Sequence, residues 1–322
     1  MVEQNEPAAP APQSPESGRE ALPWVECVPN FSEGRDPRVV EEIVASIAGV
    51  AGVRVLDYSL NADHNRAVVT FAGPPEAVAE AAFLGVRAAV ERIDLRRHQG
   101  AHPRIGAADV VPFVPLQDAP QAMELCVQLA RNLGQRLARE LDLPVYLYEE
   151  AALLPERRRL ETIRRGGFEG LITAIAEPGR RPDYGPARVH PTAGATVVGA
   201  RWPLVAFNVN LRTDDLSVAQ AVARAVRESS GGLMNVKAMG VRLAEGGLVQ
   251  VSMNLTRPAR TPIHRALELV RLEAARYGVD VAGSEIIGLT PLDALVDAAC
   301  YYLGLRGFSR RQILETRLWE KE

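Results

Sequence analysis

The chain has 322 residues, 47% of them hydrophobic, enough to bury a substantial core and to organise as one unit of two subdomains. Its 37 basic and 40 acidic side chains leave a formal charge of only -3, which gives no global attraction for nucleic acid or for a membrane surface. No window approaches the ~18 uninterrupted apolar residues of a membrane span. Cys27, Cys126 and Cys300 form no C-x-x-C pair, so neither a disulfide framework nor a zinc site is indicated, and a reducing cytoplasm is expected.

Residues 1–23, MVEQNEPAAPAPQSPESGREALP, lack the basic start and apolar middle of a secretory signal and read as a disordered tail. Folding is expected to begin at Trp24. WVECVPNFSEGRD reads as a first strand leading into a helix capped by Asp36, with Pro37 at the first helical position and Val39, Val40, Ile43, Val44 and Ile47 on one face. GVRVLDYS and RAVVTFAG follow as strands, and Pro74-Pro75 opens an alanine-rich helix through Arg92. After the loop HQGAHPRIGA come the strand ADVVPFVP, a helix from Pro120 to Leu141, the strand PVYLYEEAA and an arginine-rich helix. The stretch DYGPARVHPTAGATVVGAR reads as a loop joining two halves, whose boundary is expected between residues 199 and 200.

The second half, residues 200–322, reads strand, helix, strand, strand, helix, strand: WPLVAFNVNL, SVAQAVARAVRES, VKAMGVRLA, LVQVSMNLT, IHRALELVRLEAARYG and VAGSEIIGL. The two middle strands are joined across Glu245-Gly246-Gly247. That order is the split β-α-β of a ferredoxin-like layer, with helices on one face of an antiparallel sheet. The expected fold class is therefore α/β (α+β), two two-layer subdomains with their bare sheet faces opposed across a cleft suited to a ligand.

Chemistry concentrates in HQGAHPRIGAADV. His98 and His102 lie four apart, yet Gly100 between them and Pro103 after them disfavour a helix, and no third ligand has metal-site spacing. No metal is expected. His98 reads as a loop residue facing solvent. His102, held extended by Pro103, suits proton transfer near neutral pH. Arg104 offers a fork to a carboxylate, and Asp109 could orient an imidazole, with a local salt bridge between them as the plainer reading. The polar run NADHNR adds Asp63, His64, Asn65 and Arg66 on a turn between strands. Arg157, Arg158, Arg159, Arg164, Arg165, Arg180 and Arg181 read as a solvated face, or else as a patch for a polyanion. Nucleotide-binding glycine fingerprints and the G-x-S-x-G elbow are absent.

VECVPNFSEGRD, DHNRAVVTFAG and HQGAHPRIGAADVVPFVP together resemble the formiminotransferase family, and the likeness continues through LPVYLYEEAA, YGPARVHPTAGATVVGARWPLVAFNVNL, VSMNLT and GSEIIGLTPLDALVDAA. The resemblance implies two subdomains whose sheets face each other across a substrate tunnel, and a homodimer. It implies transfer of a formimidoyl group between N-formimidoyl-L-glutamate and N5 of tetrahydrofolate as co-substrate, in histidine breakdown, with His102 as general acid/base. Formyl transfer, or folate binding without turnover, are the alternatives. The family's folate-binding loop matches Gly185, Pro186, Ala187, Arg188, Val189, His190, Pro191, Thr192, Ala193 and Gly194. Arg66, Arg104 and Asp109 complete the expected substrate contacts, the arginines for glutamate carboxylates, and the arginine run from Arg157 for a polyglutamate tail. Ser59 stands where animal members carry an aspartate, and Ala193 replaces an aromatic, which leaves the partner of the pterin ring unassigned. Animal members continue into a cyclodeaminase domain, so a separate enzyme of that kind is an expected partner.

Overall fold

A computed structural model describes residues 24–100, 103–243 and 247–319. The expected tail, His102, and Glu245 and Gly246 of the hairpin lie outside the described residues. Two sheets, each with its own core, build the fold.

The first strand is broken into β1 (Val25–Cys27) and β2 (Asn30–Phe31). Pro29 between them has no N–H for the ladder, though its carbonyl still accepts from Val69 N at 3.1 Å. In α1 (Pro37–Ala48) the Asp36 carboxylate accepts from Arg38 N, and Val40, Ile43 and Ile47 are buried. β3 (Arg54–Asn61) and β4 (Arg66–Gly73) form a hairpin, followed by α2 (Pro75–Arg92), β5 (Ala108–Pro115), α3 (Pro120–Leu141) and β6 (Val145–Glu149).

Two expectations need correction here. The arginine-rich segment is not one helix: it breaks into a 3-10 turn at Pro155–Arg158, α4 (Leu160–Ile163) and α5 (Gly167–Ala174). Gly166 and Gly167 both adopt positive φ, which turns the chain between the two short helices. Nor is it uniformly a solvated face. Arg157 is 6% exposed, ion-paired to Asp183 at 2.6 Å and bonded to the Arg181 carbonyl, while Arg180 donates to the carbonyls of Thr162 and Arg165. These guanidiniums tie the segment to itself, because it supplies more unpaired carbonyls than regular structure can satisfy.

The second correction concerns the joining loop, whose last part is a strand, β7 (Thr196–Ala200), buried at every position. It lies between β5 and β6 and pairs parallel with both. Burial on both faces removes the alternation by which an exposed strand is recognised. The first sheet thus runs β3, β4, the broken β1/β2, β5, β7, β6. α1, α2 and α3 share in the core on one side, and α4 and α5 cover Val110, Tyr146, Tyr148 and Val197 on the other.

The second half follows the expected order: β8 (Val205–Leu211), α6 (Leu216–Val226), β9 (Val236–Arg242), β10 (Val249–Leu255), α7 (Ile263–Ala275) and β11 (Val281–Ile287). The spatial order β11-β8-β10-β9, antiparallel throughout, is ferredoxin-like. Val205, Phe207, Val209 and Leu211 alternate inward against α6 and α7. Two further helices, α8 (Leu292–Leu303) and α9 (Leu314–Trp319), close the described chain. The halves meet through Lys237 and Glu161 at 2.6 Å, through Arg257 and Asp118 at 3.3 Å, and through the Arg257 guanidinium, 4.2 Å from the centre of the Trp202 ring.

Candidate active site

The ends of β2, β4 and β5 converge on a narrow cleft lined by Ser32, His64, Asn65, Arg66, His98, Arg104 and Asp109. Arg66, Arg104 and Asp109, read separately from the sequence, are thus brought together. His102 itself lies outside the described residues, two positions before Arg104.

Asn65 organises the cleft. It sits at φ 48°, a left-handed conformation that asparagine tolerates better than most residues. Its Oδ1 accepts from Gly34 N at 2.9 Å and its Nδ2 donates to the Gln99 carbonyl at 3.0 Å. Its own carbonyl takes the His98 Nε2 proton at 2.8 Å. His98 therefore does not face solvent freely as expected: it is half-buried and anchored across the cleft. Burial holds its pKa below the usual histidine value, the Asn65 carbonyl opposing and the Arg104 charge reinforcing the drop. The neutral tautomer with Nε2–H leaves a lone pair on Nδ1, a buried atom without a partner among the described residues.

Three guanidiniums crowd the same volume. Arg104 directs its fork at Glu169, 2.9 Å from Nη2 to Oε1, and also donates to the His98 carbonyl at 3.1 Å. Arg164 pairs with Asp109. Arg66 is pushed down to about 10 by burial and by the neighbouring Arg164 charge, with Asp109 opposing, and so stays charged at neutral pH. The Nε atoms of Arg104 and Arg164 are buried with no acceptor among the described residues. Cations in excess of carboxylates, with unclaimed N–H groups, suit an anionic ligand.

Asp109 is 2% exposed, and both its oxygens already hold protein donors: Oδ1 accepts from Ile105 N at 2.8 Å and Oδ2 takes Arg164. Its first duty is therefore to the loop around Ile105. The partner is Arg164, fifty-five residues on, and not the nearby Arg104.

The end of the loop from Gly185 to Gly194 is hydrogen-bonded to the segments that carry the cleft residues His98, Arg104 and Asp109. Ala107 N donates to the Ala193 carbonyl at 2.9 Å, Leu95 N to that of Thr192 at 2.8 Å, and Ala195 N to that of Ile105 at 2.8 Å. Gly194, at φ 73°, allows this approach, because a Cβ there would stand 2.1 Å from the Ile105 oxygen. His190 Nδ1 accepts from Ala193 N at 3.0 Å, so that nitrogen carries no proton, in keeping with a pKa lowered by burial. Ala193 and Gly194 are buried in the join and cannot lie flat against a ligand, whereas Pro186, Ala187, Arg188, Val189 and Pro191 remain at least partly exposed. Arg188 faces Asp142. Ser32 and Glu169 are not singled out in the sequence, and Arg164 stands there only as one of an arginine run read as a solvated face or a polyanion patch; its pairing with Asp109 carries no local signal.

Matches to family models span nearly all of the described chain: the N-terminal subdomain of the formiminotransferase domain over residues 24–201, and the formiminotransferase domain over residues 206–315. The chain belongs to the formiminotransferase family. A relative from Thermoplasma acidophilum, "Glutamate formimidoyltransferase", is 52% identical across 91% of this chain and 97% of its own length. One of the same name from Streptococcus pyogenes serotype M1 is 47% identical, across 91% and 98%. The rat "Formimidoyltransferase-cyclodeaminase" is 44% identical across 86% of this formiminotransferase-family chain, but only 52% of the rat protein is matched.

Proposed function

We propose that this chain is a glutamate formimidoyltransferase that moves a formimidoyl group between N-formimidoyl-L-glutamate and N5 of tetrahydrofolate. The observation that carries the reading is the high identity to relatives of that name along almost their whole length. The cleft agrees with it chemically, since glutamate brings carboxylates and the cleft offers guanidinium N–H groups without acceptors among the described residues.

In the proposed reaction the N5 lone pair attacks the formimidoyl carbon, the N5 proton leaves, and the bond from that carbon to the glutamate nitrogen breaks as the nitrogen gains a proton. His102 takes the first proton and returns one to the departing amine, help worth ~10²- to 10⁴-fold in such reactions. Arg66 grips a substrate carboxylate, and Arg104 exchanges Glu169 for another. The Gly185–Gly194 loop holds the folate, which lies with the second substrate in a tunnel between the two sheets. Orientation of two bound reactants contributes at least as much as proton transfer. The protein works in a reducing cytoplasm, consistent with Cys27 and Cys126 buried as free thiols, and as a homodimer whose contact uses the exposed leucines of α8 and α9. Its two subdomains divide between β7 and β8, just past the expected 199/200 boundary, because Ala200 still pairs in the first sheet.

A spectrophotometric assay with tetrahydrofolate and, in turn, N-formimidoyl- and N-formyl-L-glutamate tests the reading. Transfer from the formimidoyl donor, lost in His102→Ala with folate affinity retained within a few-fold, is the expected outcome. Full turnover in that variant, or transfer from the formyl donor alone, overturns it.

A further inference from the structure

Two ion pairs at the cleft differ in kind. Arg164 and Asp109 have side chains 13% and 3% exposed, so separating them strands a charge in low dielectric. Arg104 is as sheltered, at 12%, but its partner Glu169 is 66% exposed. A carboxylate that stands mostly in water gains little from its pair and leaves it at small cost.

The chain fixes Arg104 and leaves the Glu169 side chain able to swing. Arg104 Nη2 also donates to the His98 carbonyl at 3.1 Å, which keeps the fork aimed when the carboxylate departs. Glu169 is the third residue of α5, and the buried Phe168 and Leu171 hold that helix in place. Only side-chain torsions of Glu169 therefore separate the paired from the released arrangement. Gly167 starts the helix hard against the loop, since a Cβ there would stand 3.3 Å from Glu169 Oε2 and 3.5 Å from the Arg104 carbonyl oxygen. A bare backbone at that position lets α5 deliver its carboxylate to the fork.

The contact has the form a substrate carboxylate would take. Glu169 Oε1 accepts from Nη2 at 2.9 Å and Oε2 from Nη1 at 3.4 Å, two roughly parallel bonds to one planar group. The fork has one set of these donors. A carboxylate from solution and the one on α5 cannot both hold it.

We propose that Glu169 is an internal competitor for the glutamate moiety: its carboxylate occupies the Arg104 fork between turnovers, yields it to the donor, and returns to it as the product glutamate leaves. Glu169 acts only through Arg104 and is a positioning residue. It lowers the apparent affinity for donor and product by the same factor, because both need the fork open and the fork is open for only a fraction of the time. For an ion pair with so exposed a member that factor is about two- to sixfold. The gain to the enzyme is release of a product that carries the same carboxylates as its donor. This inference rests on the glutamate-dependent reaction proposed above.

Steady-state kinetics of the full-length protein, its Glu169→Gln form and its Glu33→Gln form test it. In Glu169→Gln the KM for N-formimidoyl-L-glutamate and the inhibition constant of L-glutamate are expected to fall together by about two- to sixfold, with the KM for tetrahydrofolate unchanged. Tighter binding is a gain that structural damage does not produce. Glu33 is the control for charge alone: it acts on His98 from a distance, and a glutamine there still offers an acceptor to Arg35 N and Asp36 N. Both constants are expected to stay as they are in Glu33→Gln. Unchanged or weakened binding of donor and product in Glu169→Gln, or equal tightening in both variants, overturns the assignment. Failure of the unaltered protein to use N-formimidoyl-L-glutamate overturns the functional reading itself, and this assignment with it.

Discussion

Asp109 and Arg164, fifty-five residues apart in sequence, form an ion pair with side chains only 3% and 13% exposed. The pair gives a buried carboxylate a cation and leaves its other oxygen to hold Ile105 N, at the point where the loop carrying Arg104 enters β5. Removing one member of such a pair strands the other in low dielectric. Asp109→Ala is expected to lower unfolding free energy by about 3–5 kcal/mol, measured by urea denaturation. Asp109→Asn, which still offers an acceptor to Ile105 N, should cost less. Equal loss in both variants would show that the charge, and not the loop bond, carries the effect.

Gly194 joins the two loops at the cleft. Its φ of 73° and the 2.1 Å clearance between a built Cβ and the Ile105 oxygen leave no room for a side chain. Gly194→Ala should destabilise the fold by more than ~1 kcal/mol, since the backbone must shift to relieve the clash. The KM for tetrahydrofolate should rise more than the KM for the formimidoyl donor, because the displaced segment is the proposed folate loop. Steady-state kinetics varying each substrate separate the two.

Acid should loosen the protein through its histidines. His98, His190 and His264 all have pKa values lowered from 6.5, burial being the largest cause in each. In the interval below 6.5 the unfolded chain binds protons that the folded chain refuses, so stability is full above that value and falls as pH drops toward the lowered folded values. Thermal scans should show Tm decreasing as pH falls from about 7 to about 5, and a shallower decrease in His98→Gln. A Tm independent of pH across that interval would contradict the assignment of these imidazoles as neutral in the fold.

The exposed side of α8 and α9 should mediate self-association. Ala294 is the one buried residue of α8, while Leu303, Leu314 and Leu318 are 71%, 69% and 70% exposed. Apolar surface so concentrated is a mark of an interaction site. Sedimentation should give twice the mass of one chain, and Leu303→Asp with Leu314→Asp should give a single-chain mass with the secondary structure retained. A monomeric unaltered protein would refute the dimer.

Much was written locally. The cap at Asp36, the helix running from Pro120 to Leu141 and the six-element rhythm of the second half follow from side-chain period and from proline and glycine placement, which act within a few residues. The segments VECVPNFSEGRD and HQGAHPRIGAADVVPFVP likewise sufficed to point to the family that the full-length matches establish. Tertiary structure alone decided which charges meet. Burial on both faces erased the strand signal of Thr196–Ala200, and low dielectric around Asp109 made Arg164, a residue without local distinction, its obligatory partner. Period and turn chemistry depend on neighbours along the chain, whereas desolvation depends on what the rest of the molecule brings alongside, and that is set only when the sheets and short helices have packed.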